Sequence, residues 1–485
     1  MGEPDSSPKR ASKPVGVAPG ASGLQAAKFS ELDLADAFVQ RAQHKWRHVL
    51  EWKTWFRWDD RPATRGWHED VNGSLRHYVG AMLKEAIHWP DAAVLSPSQQ
   101  RKLCSNGFAS GVMAFAGAHP AVSVPASQWD TDTMALGVPG GVVDLRTGRY
   151  EDASPDVYVS RRCAIRPSAG VPRLWLSHLN RVMRGDRQMV DFLQRYFGYT
   201  LTGEVGEHSL LFLYGTGRNG KGTIVETLVR LMGDYGYAAP VNLLMESKQE
   251  RHPVELAMLR GRRIVSCSEP PQGSKWDDGR IRSLTGGDTV TARRMGENLT
   301  SFEPTHKLVL MGNHKPTLRS VDEAIKARFN VIDFSLTIPA EDRDPKFLEK
   351  LRAEWPQILQ WMIDGCLMWQ ESGLGRPAGM VEATEEYLQD EDSFGQFLGE
   401  CCEVGQGGYE DIPSLFRAYA DWCERVGERG VGRKAFRSIL HETPGVTRRR
   451  GAVPESVDGL RLKESARKPM NGWRPGGGSG WLDPD

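Results

Sequence analysis

Short apolar runs and helically spaced apolar residues alternate through the middle of the chain. Leu210-Leu211-Phe212-Leu213-Tyr214 and Leu308-Val309-Leu310-Met311 are continuous apolar stretches of strand length, and Ile264-Val265-Ser266-Cys267 is a third candidate. Ile224–Leu231, after the first run, has helical spacing. Strands alternating with helices predict a parallel α/β core over residues 201–340. Residues 341–390 read as helical, with Leu348, Leu351, Trp355, Ile358, Leu359, Trp361 and Met362 supplying an apolar face. Residues 29–200 form a first region, expected to be mainly helical. It opens on helical spacing rich in tryptophan (Trp46, Trp52, Trp55, Trp58) interleaved with Lys45, Arg47, Lys53 and Arg57. These bulky rings are expected to pack inward rather than stack on nucleic acid. Gly137–Gly148 reads as a strand–turn hairpin. In residues 391–468, Leu415, Tyr419, Trp422 and Val426 share a helical face. Phe436, Ile439 and Leu440 mark a second helix, and Gly459–Lys463 a strand. Residues 1–28 and 469–485 read as flexible tails.

At 485 residues the chain has room for about three domains. A charge balance of 62 basic against 62 acidic residues gives no global attraction for a polyanion, so any basic surface must be local. No run reaches membrane-spanning length, and the N-terminal stretch lacks the apolar centre of a signal peptide. The seven cysteines contain no C-x-x-C pair; a zinc site is not expected, and a reducing cytoplasm suits them.

The chemistry concentrates after the first strand. Gly215-Thr216-Gly217-Arg218-Asn219-Gly220-Lys221-Gly222-Thr223 is a glycine-rich loop between a strand and a helix. Glycines let backbone N–H groups turn toward an anion, the helix start adds its dipole, and Lys221 reaches the β- and γ-phosphates of ATP. The usual hydroxyl after the lysine is replaced by Gly222, so Thr223 is the candidate Mg²⁺ ligand. Glu269 ends the second strand, where a carboxylate can activate water or hold Mg²⁺. Asn313 ends the third and can sense the γ-phosphate. Between them, residues through Phe302 alternate enough for a β-hairpin, with Arg293 and Arg294 placed to face DNA or an adjacent subunit. Arg328 closes a helix and is a candidate finger on a neighbour's γ-phosphate. Asp130-Thr131-Asp132 reads as a turn rather than a two-metal polymerase centre.

The set GTGRNGKGT, Ser268-Glu269-Pro270, Leu284–Asp288 (LTGGD), Thr291–Arg293 (TAR), Gly312–Pro316 (GNHKP) and the run ending at Phe329 resembles the superfamily 3 helicases of phage and plasmid primase–helicases. The branch that resemblance points to includes the poxvirus primase–helicase. Gly140–Gly148 is similar to the domain preceding the ATPase in that family. The resemblance implies an AAA+ ATPase forming a ring, expected to be a hexamer, on one DNA strand, with 3′–5′ translocation and with ATP and Mg²⁺. Lys221, Glu269, Asn313 and Arg328 take the family's loop lysine, acid, sensor and finger. It implies a winged helix over 391–468, with Arg433, Lys434 and Arg437 on or near its recognition helix and Arg448, Arg449 and Arg450 near its wing. The residues ahead of the ATPase leave little chain for a primase, so a separate primase is an expected partner. The hairpin tip, Gly296-Glu297-Asn298, carries no basic residue, leaving DNA grip to Arg293 or Arg294. A phage, prophage or plasmid protein is expected in the bacterial host cytoplasm. Two other readings share the phosphate loop: a DNA-binding ATPase that loads or recruits other replication proteins without unwinding, and a small-molecule kinase.

Overall fold

The computed structural model describes residues 29–246, 254–271, 274–293, 300–318, 322–391, 393–426, 430–443 and 445–467. They fall into two compact units, one made of residues 29–60, 66–129 and 155–160, the other of 61–65, 130–154 and 161 onward.

The first unit runs α1 (Glu31–Ala42), β1 (Trp46–Val49), β2 (Thr54–Asp59), β3 (Gly66–Glu69), α2 (Ser74–Ala86), α3 (Pro97–Leu103) and α4 (Asn106–Ala118). Ser30 starts α1 through a capping box: its hydroxyl accepts from Asp33 N–H, and the Asp33 carboxylate accepts from Ser30 N–H. Leu34, Phe38, Val79, Leu83, Val112 and Ala116 form the core. The tryptophan-rich segment is a β-hairpin, not helical: Trp46 lies on β1, Trp55 and Trp58 on β2, and Trp46 pairs with Arg57. Large aromatics suit a pleated, half-buried surface, and Lys53 takes the left-handed φ of 50° that the turn requires. Trp46 and Trp58 do pack inward, at 2% and 6% exposure.

The second unit opens with an antiparallel meander, β4 (Ala135–Val138), β5 (Gly141–Asp144) and β6 (Arg149–Asp152). Asp132 just before it accepts from the Arg146 guanidinium at 2.8 Å and from Met134 N–H, so it serves a turn. Two helices follow, α5 (Arg173–Val182) and α6 (Arg187–Tyr199). Then come β7 (Leu210–Tyr214), α7 (Lys221–Leu231), β8 (Gly236–Ala239), α8 (Val254–Ala257), β9 (Ile264–Ser268) and α9 (Asp278–Thr285). A two-stranded antiparallel ribbon, β10 (Val290–Ala292) with β11 (Thr300–Phe302), precedes β12 (Lys307–Gly312), α10 (Glu323–Arg328) and β13 (Phe329–Asp333). Strands β7, β8, β9, β12 and β13 form one sheet in the order β13-β7-β12-β9-β8, every pairing parallel. Leu210, Phe212, Val265, Leu308, Leu310 and Val331 are almost wholly buried, as strands covered on both faces must be.

Helices α11 (Phe347–Ala353), α12 (Trp355–Ser372) and α13 (Ala378–Glu391) follow the sheet. Helix α12 lies against α6 at two glycines. A Cβ on Gly198 would sit 2.1 Å from Cys366 N, and one on Gly365 would sit 2.1 Å from Gln194 O. Past α6, backbone carbonyls are gathered by two buried basic side chains. Lys307 Nζ donates to Thr202 O and, at 3.1 Å, to Glu204 O, and Arg263 donates to Leu201 O and Ala135 O. Thus the starts of β12 and β9 are tied to the α6 end by hydrogen bonds from buried side chains.

The last part contains α14 (Ser393–Cys401), β14 (Cys402–Asp411), α15 (Ile412–Val426), α16 (Arg433–Glu442), β15 (Thr447–Arg449), β16 (Ser456–Leu462) and α17 (Glu464–Arg467). Its sheet runs β14-β16-β15, antiparallel throughout. Phe397, Leu415, Tyr419, Trp422, Phe436 and Leu460 make a separate core.

Candidate nucleotide site

The loop between β7 and α7 sits at the carboxyl edge of the sheet, where a strand hands over to a helix N-terminus. Its shape demands glycine at two places. Gly215 has φ 153° and a Cβ there would lie 2.5 Å from Phe334 O; Gly220 has φ 91° and a Cβ would meet His178 and Val182 at 2.8 Å. Gly217 also has a left-handed φ, 91°, and Arg218 holds φ 53° while its carbonyl accepts from Ile338 N–H at 2.9 Å. The loop is thus pinned from outside, and Gly215 N–H donates to Gly312 O at 3.1 Å and Gly217 N–H to Gly215 O at 2.9 Å.

Lys221 begins α7 with only 5% exposure. Its Nζ donates to Gly215 O at 2.5 Å, to Asn219 Oδ1 at 3.2 Å and to Asn313 Oδ1 at 3.3 Å. Asn219 is buried, and its Nδ2 donates to Phe334 O at 3.0 Å, which fixes the face it offers the lysine. Burial lowers the Lys221 amine to about 8, against the opposing pull of Glu269 and Asp333. Glu269 follows β9, exposed, with φ 54° and its N–H donating to Met311 O at 2.8 Å. Asn313 follows β12, the strand between β7 and β9. The structure therefore brings Lys221, Asn219, Asn313 and Glu269 to one edge. Thr223 is half-buried in the first turn of α7, and Thr216 and Gly222 are exposed.

Two residues here escaped the sequence reading. Asp333 ends β13, and its signal was present: an acid closing the short stretch Phe329-Asn330-Val331-Ile332, as Glu269 closes its own strand. His178 on α5 packs under the loop, its Nε2 3.4 Å from Gly220 O and its ring 5.0 Å from Phe347. Burial depresses its pKa and keeps the ring neutral. Nothing local in the sequence marks it, because it reaches the loop only through the fold.

Arg328 lies elsewhere. In the register of β13 with β7, Phe329 faces Leu210 and Asp333 faces Tyr214, so Arg328 and Lys221 sit at opposite edges of the sheet. At about 3.3 Å per residue that separation is roughly 16 Å along the strand. Its Nε donates to Thr285 Oγ1 at 3.0 Å and Nη1 to Ala324 O at 2.7 Å, which fixes its guanidinium within its own chain.

Of the ribbon residues, Arg293 is exposed just after β10, while Arg294 and the tip Gly296-Glu297-Asn298 lie outside the described residues. On α16, Arg433, Lys434 and Arg437 are exposed, with Arg433 over the Phe416 ring at 5.3 Å. Glu455 pairs with Arg437 at 3.2 Å and Arg448 at 3.1 Å; Arg449 pairs with Asp458 at 3.5 Å, and Arg450 is exposed.

The donors fit a nucleoside triphosphate: left-handed glycines, a buried lysine on polar acceptors, and carboxylates at the rim. Among the described residues no cluster of three or more His, Cys, Asp or Glu could hold a metal ion. No described helix is long and apolar enough to cross a membrane.

The fold and site define an α/β protein with a glycine loop, a buried lysine and an acid at the carboxyl edge of a parallel sheet. A family model described as D5 N terminal like matches residues 35–184, and a family of unknown function, DUF5906, matches 213–328. Helicase-named proteins are among the relatives. One from Acanthamoeba polyphaga mimivirus is 26% identical over 297 residues, 56% of this chain and 31% of the relative. One from Frog virus 3 is 25% identical over 267 residues, covering 50% and 27%; one from Sputnik virophage is 27% identical over 161 residues, covering 32% and 21%. The chain thus spans less than a third of the length of these relatives. Among solved structures, two of the NrS-1 C-terminal region align with TM-scores of 0.48 and 0.45, each at 10% identity, covering 82% and 89% of this chain and 81% and 99% of theirs. These matches support a likeness to the phage and viral primase–helicase family.

Proposed function

We propose that the chain is an ATP-driven DNA helicase motor of the AAA+ type. The observation carrying this reading is the Lys221 amine held within 3.3 Å of Asn313 Oδ1, with Glu269 and Asp333 acting on it electrostatically at the carboxyl edge of a parallel sheet. The glycine-loop amides and Lys221 would bind the β- and γ-phosphates, the lysine exchanging its loop carbonyl for phosphate oxygens. Asn313 would orient the γ-phosphate. Glu269 would polarise a water for addition to the γ-phosphorus, with departure of ADP as the β–γ bridging bond breaks. Mg²⁺ would neutralise the phosphate charge beside Thr223 and Glu269.

Arg328 cannot serve the site of its own chain from the far edge of the sheet. That placement favours a ring, a hexamer in the form the resemblance implies, in which Arg328 of one copy meets the nucleotide of the next. Movement across that interface would drive the β10–β11 ribbon, with Arg293 and Arg294, along single-stranded DNA in the 3′–5′ direction. The order helix, strand, two helices and a two-stranded ribbon supports a winged helix at the C-terminus, with α16 laid on DNA. The three relatives named above are proteins of viruses and a virophage, so the bacterial cytoplasm rests on the resemblance to phage proteins alone.

The test is ATP-dependent unwinding of a forked DNA duplex, with Lys221→Ala in parallel. Strand separation by the parent and none by the variant is expected. DNA-stimulated hydrolysis without strand separation would replace the helicase reading by a loader.

A further inference from the structure

The first unit carries a cleft of about 390 Å³ that the nucleotide site does not use. Its walls come from the β1–β2 hairpin and from α2 and α4, and His48, Trp55, Gly73, Arg76, Ser110 and Met113 line it. We propose that this cleft receives an unpaired base of single-stranded DNA, held against the His48–Trp55 pair with Arg76 at the backbone.

The pair is a built surface. The two rings lie 4.6 Å apart and 32° from parallel, and His48 Nδ1 is 3.0 Å from Gly117 O. Gly117 permits that contact: a Cβ there would lie 2.7 Å from His48 Nδ1 and 3.1 Å from Trp55. Burial depresses the His48 pKa, so near neutral pH the ring is an uncharged flat face. Trp55 is braced from behind by Phe38 and Trp46, each edge-on at 6.2 and 6.4 Å. Flat faces fixed before binding suit base stacking, which tolerates any sequence.

The polar groups of the cleft have defined partners. Arg76 is exposed, its guanidinium steadied by Asn106 Oδ1 and by Ser110 Oγ at 3.3 Å, which leaves further N–H groups directed outward. The acid in the wall, Asp70, is engaged elsewhere: Oδ1 accepts from Ser74 N–H at 2.8 Å and Oδ2 from Leu75 N–H at 2.9 Å. A Cβ on Gly73 would meet nothing within 4 Å, so the cleft stays open beside the start of α2. The volume exceeds one base and is small for a folded peptide element; an aromatic floor with one guanidinium at the rim matches a base and its phosphate.

This inference rests on the DNA-translocating reading above. Its test uses the full chain and oligo(dT) labelled with a fluorophore, at several salt concentrations. Two variants act from the rim without touching the nucleotide site: Arg76→Glu reverses the charge, and Ser110→Trp fills the cleft. Each is expected to weaken oligo(dT) binding about ten-fold and to raise the DNA concentration needed to stimulate ATP hydrolysis, with hydrolysis in the absence of DNA unchanged. A parent oligonucleotide carrying 5-iododeoxyuridine is expected to photo-crosslink to the peptides containing His48 or Trp55. Parent-like binding by both variants, with crosslinks confined to other peptides, overturns the cleft while leaving the motor reading standing. A parent that neither binds oligo(dT) nor hydrolyses ATP overturns both.

Discussion

At the scale of single residues, Lys221 is the informative one. It is buried on neutral acceptors rather than paired directly with a carboxylate, so desolvation outweighs the attraction of Glu269 and Asp333 and its amine sits near 8. Below that value the amine is charged and attracts phosphate. Above it the free loop holds a neutral amine, and binding a triphosphate must take up a proton. Between pH 7.5 and 9, ATP affinity is therefore expected to fall by up to about ten-fold. Lys221→Arg, charged throughout, is expected to bind with no such slope. Calorimetric titrations in two buffers of different ionisation enthalpy measure both affinity and proton uptake; a flat profile for the parent would refute a depressed Lys221. Glu269 and Lys221 were legible in the sequence because strand, loop and helix are contiguous there. Asp333 carried the same strand-end signal, but its relevance depends on β13 lying beside β7, across more than a hundred residues of chain.

At the scale of elements, glycines decide how helices approach. Gly365 on α12 lies against α6 so closely that a Cβ would sit 2.1 Å from Gln194 O, a backbone atom that cannot swing aside. Gly365→Ala is expected to cost about 2–3 kcal/mol, read as a lower midpoint in urea unfolding. Gly379, in the first turn of α13, is the contrast: a Cβ there meets nothing within 4 Å. Gly379→Ala is expected to stabilise by about 0.5–1 kcal/mol through the lost freedom of the unfolded chain. Equal effects from the two would remove the close-approach explanation. The same scale holds the clearest misreading. The tryptophan-rich segment looked helical from its spacing, yet it folds as β1 and β2. A hairpin is fixed by its turn at Lys53 and by aromatic contacts such as Phe56 on Trp129, at 4.2 Å, from a segment far along the chain.

At the scale of the whole molecule, one geometric fact shapes the proposed mechanism: Lys221 and Arg328 lie at opposite edges of one sheet. If a neighbour's Arg328 completes each site, Lys221→Ala and Arg328→Ala chains should each be nearly inactive alone. Mixing them should restore a measurable fraction of ATP turnover, because some interfaces then pair an intact Lys221 with an intact Arg328. Arg328→Ala turning over normally as a monomer would instead favour a self-sufficient kinase-like site.

The sequence by itself determined the glycine-rich loop, the strands that flank it and the helices that follow, because those features depend on neighbours within a few residues. It also determined that basic surface must be local, since the net charge is zero. Only the tertiary structure decided that Asp333 and His178 join the loop, and that Arg328 stands too far away to serve its own site. It also set His48 and Trp55 beside Arg76 around one cleft. Those placements follow from strand order and helix packing, which bring distant segments together through buried apolar area that no local pattern records.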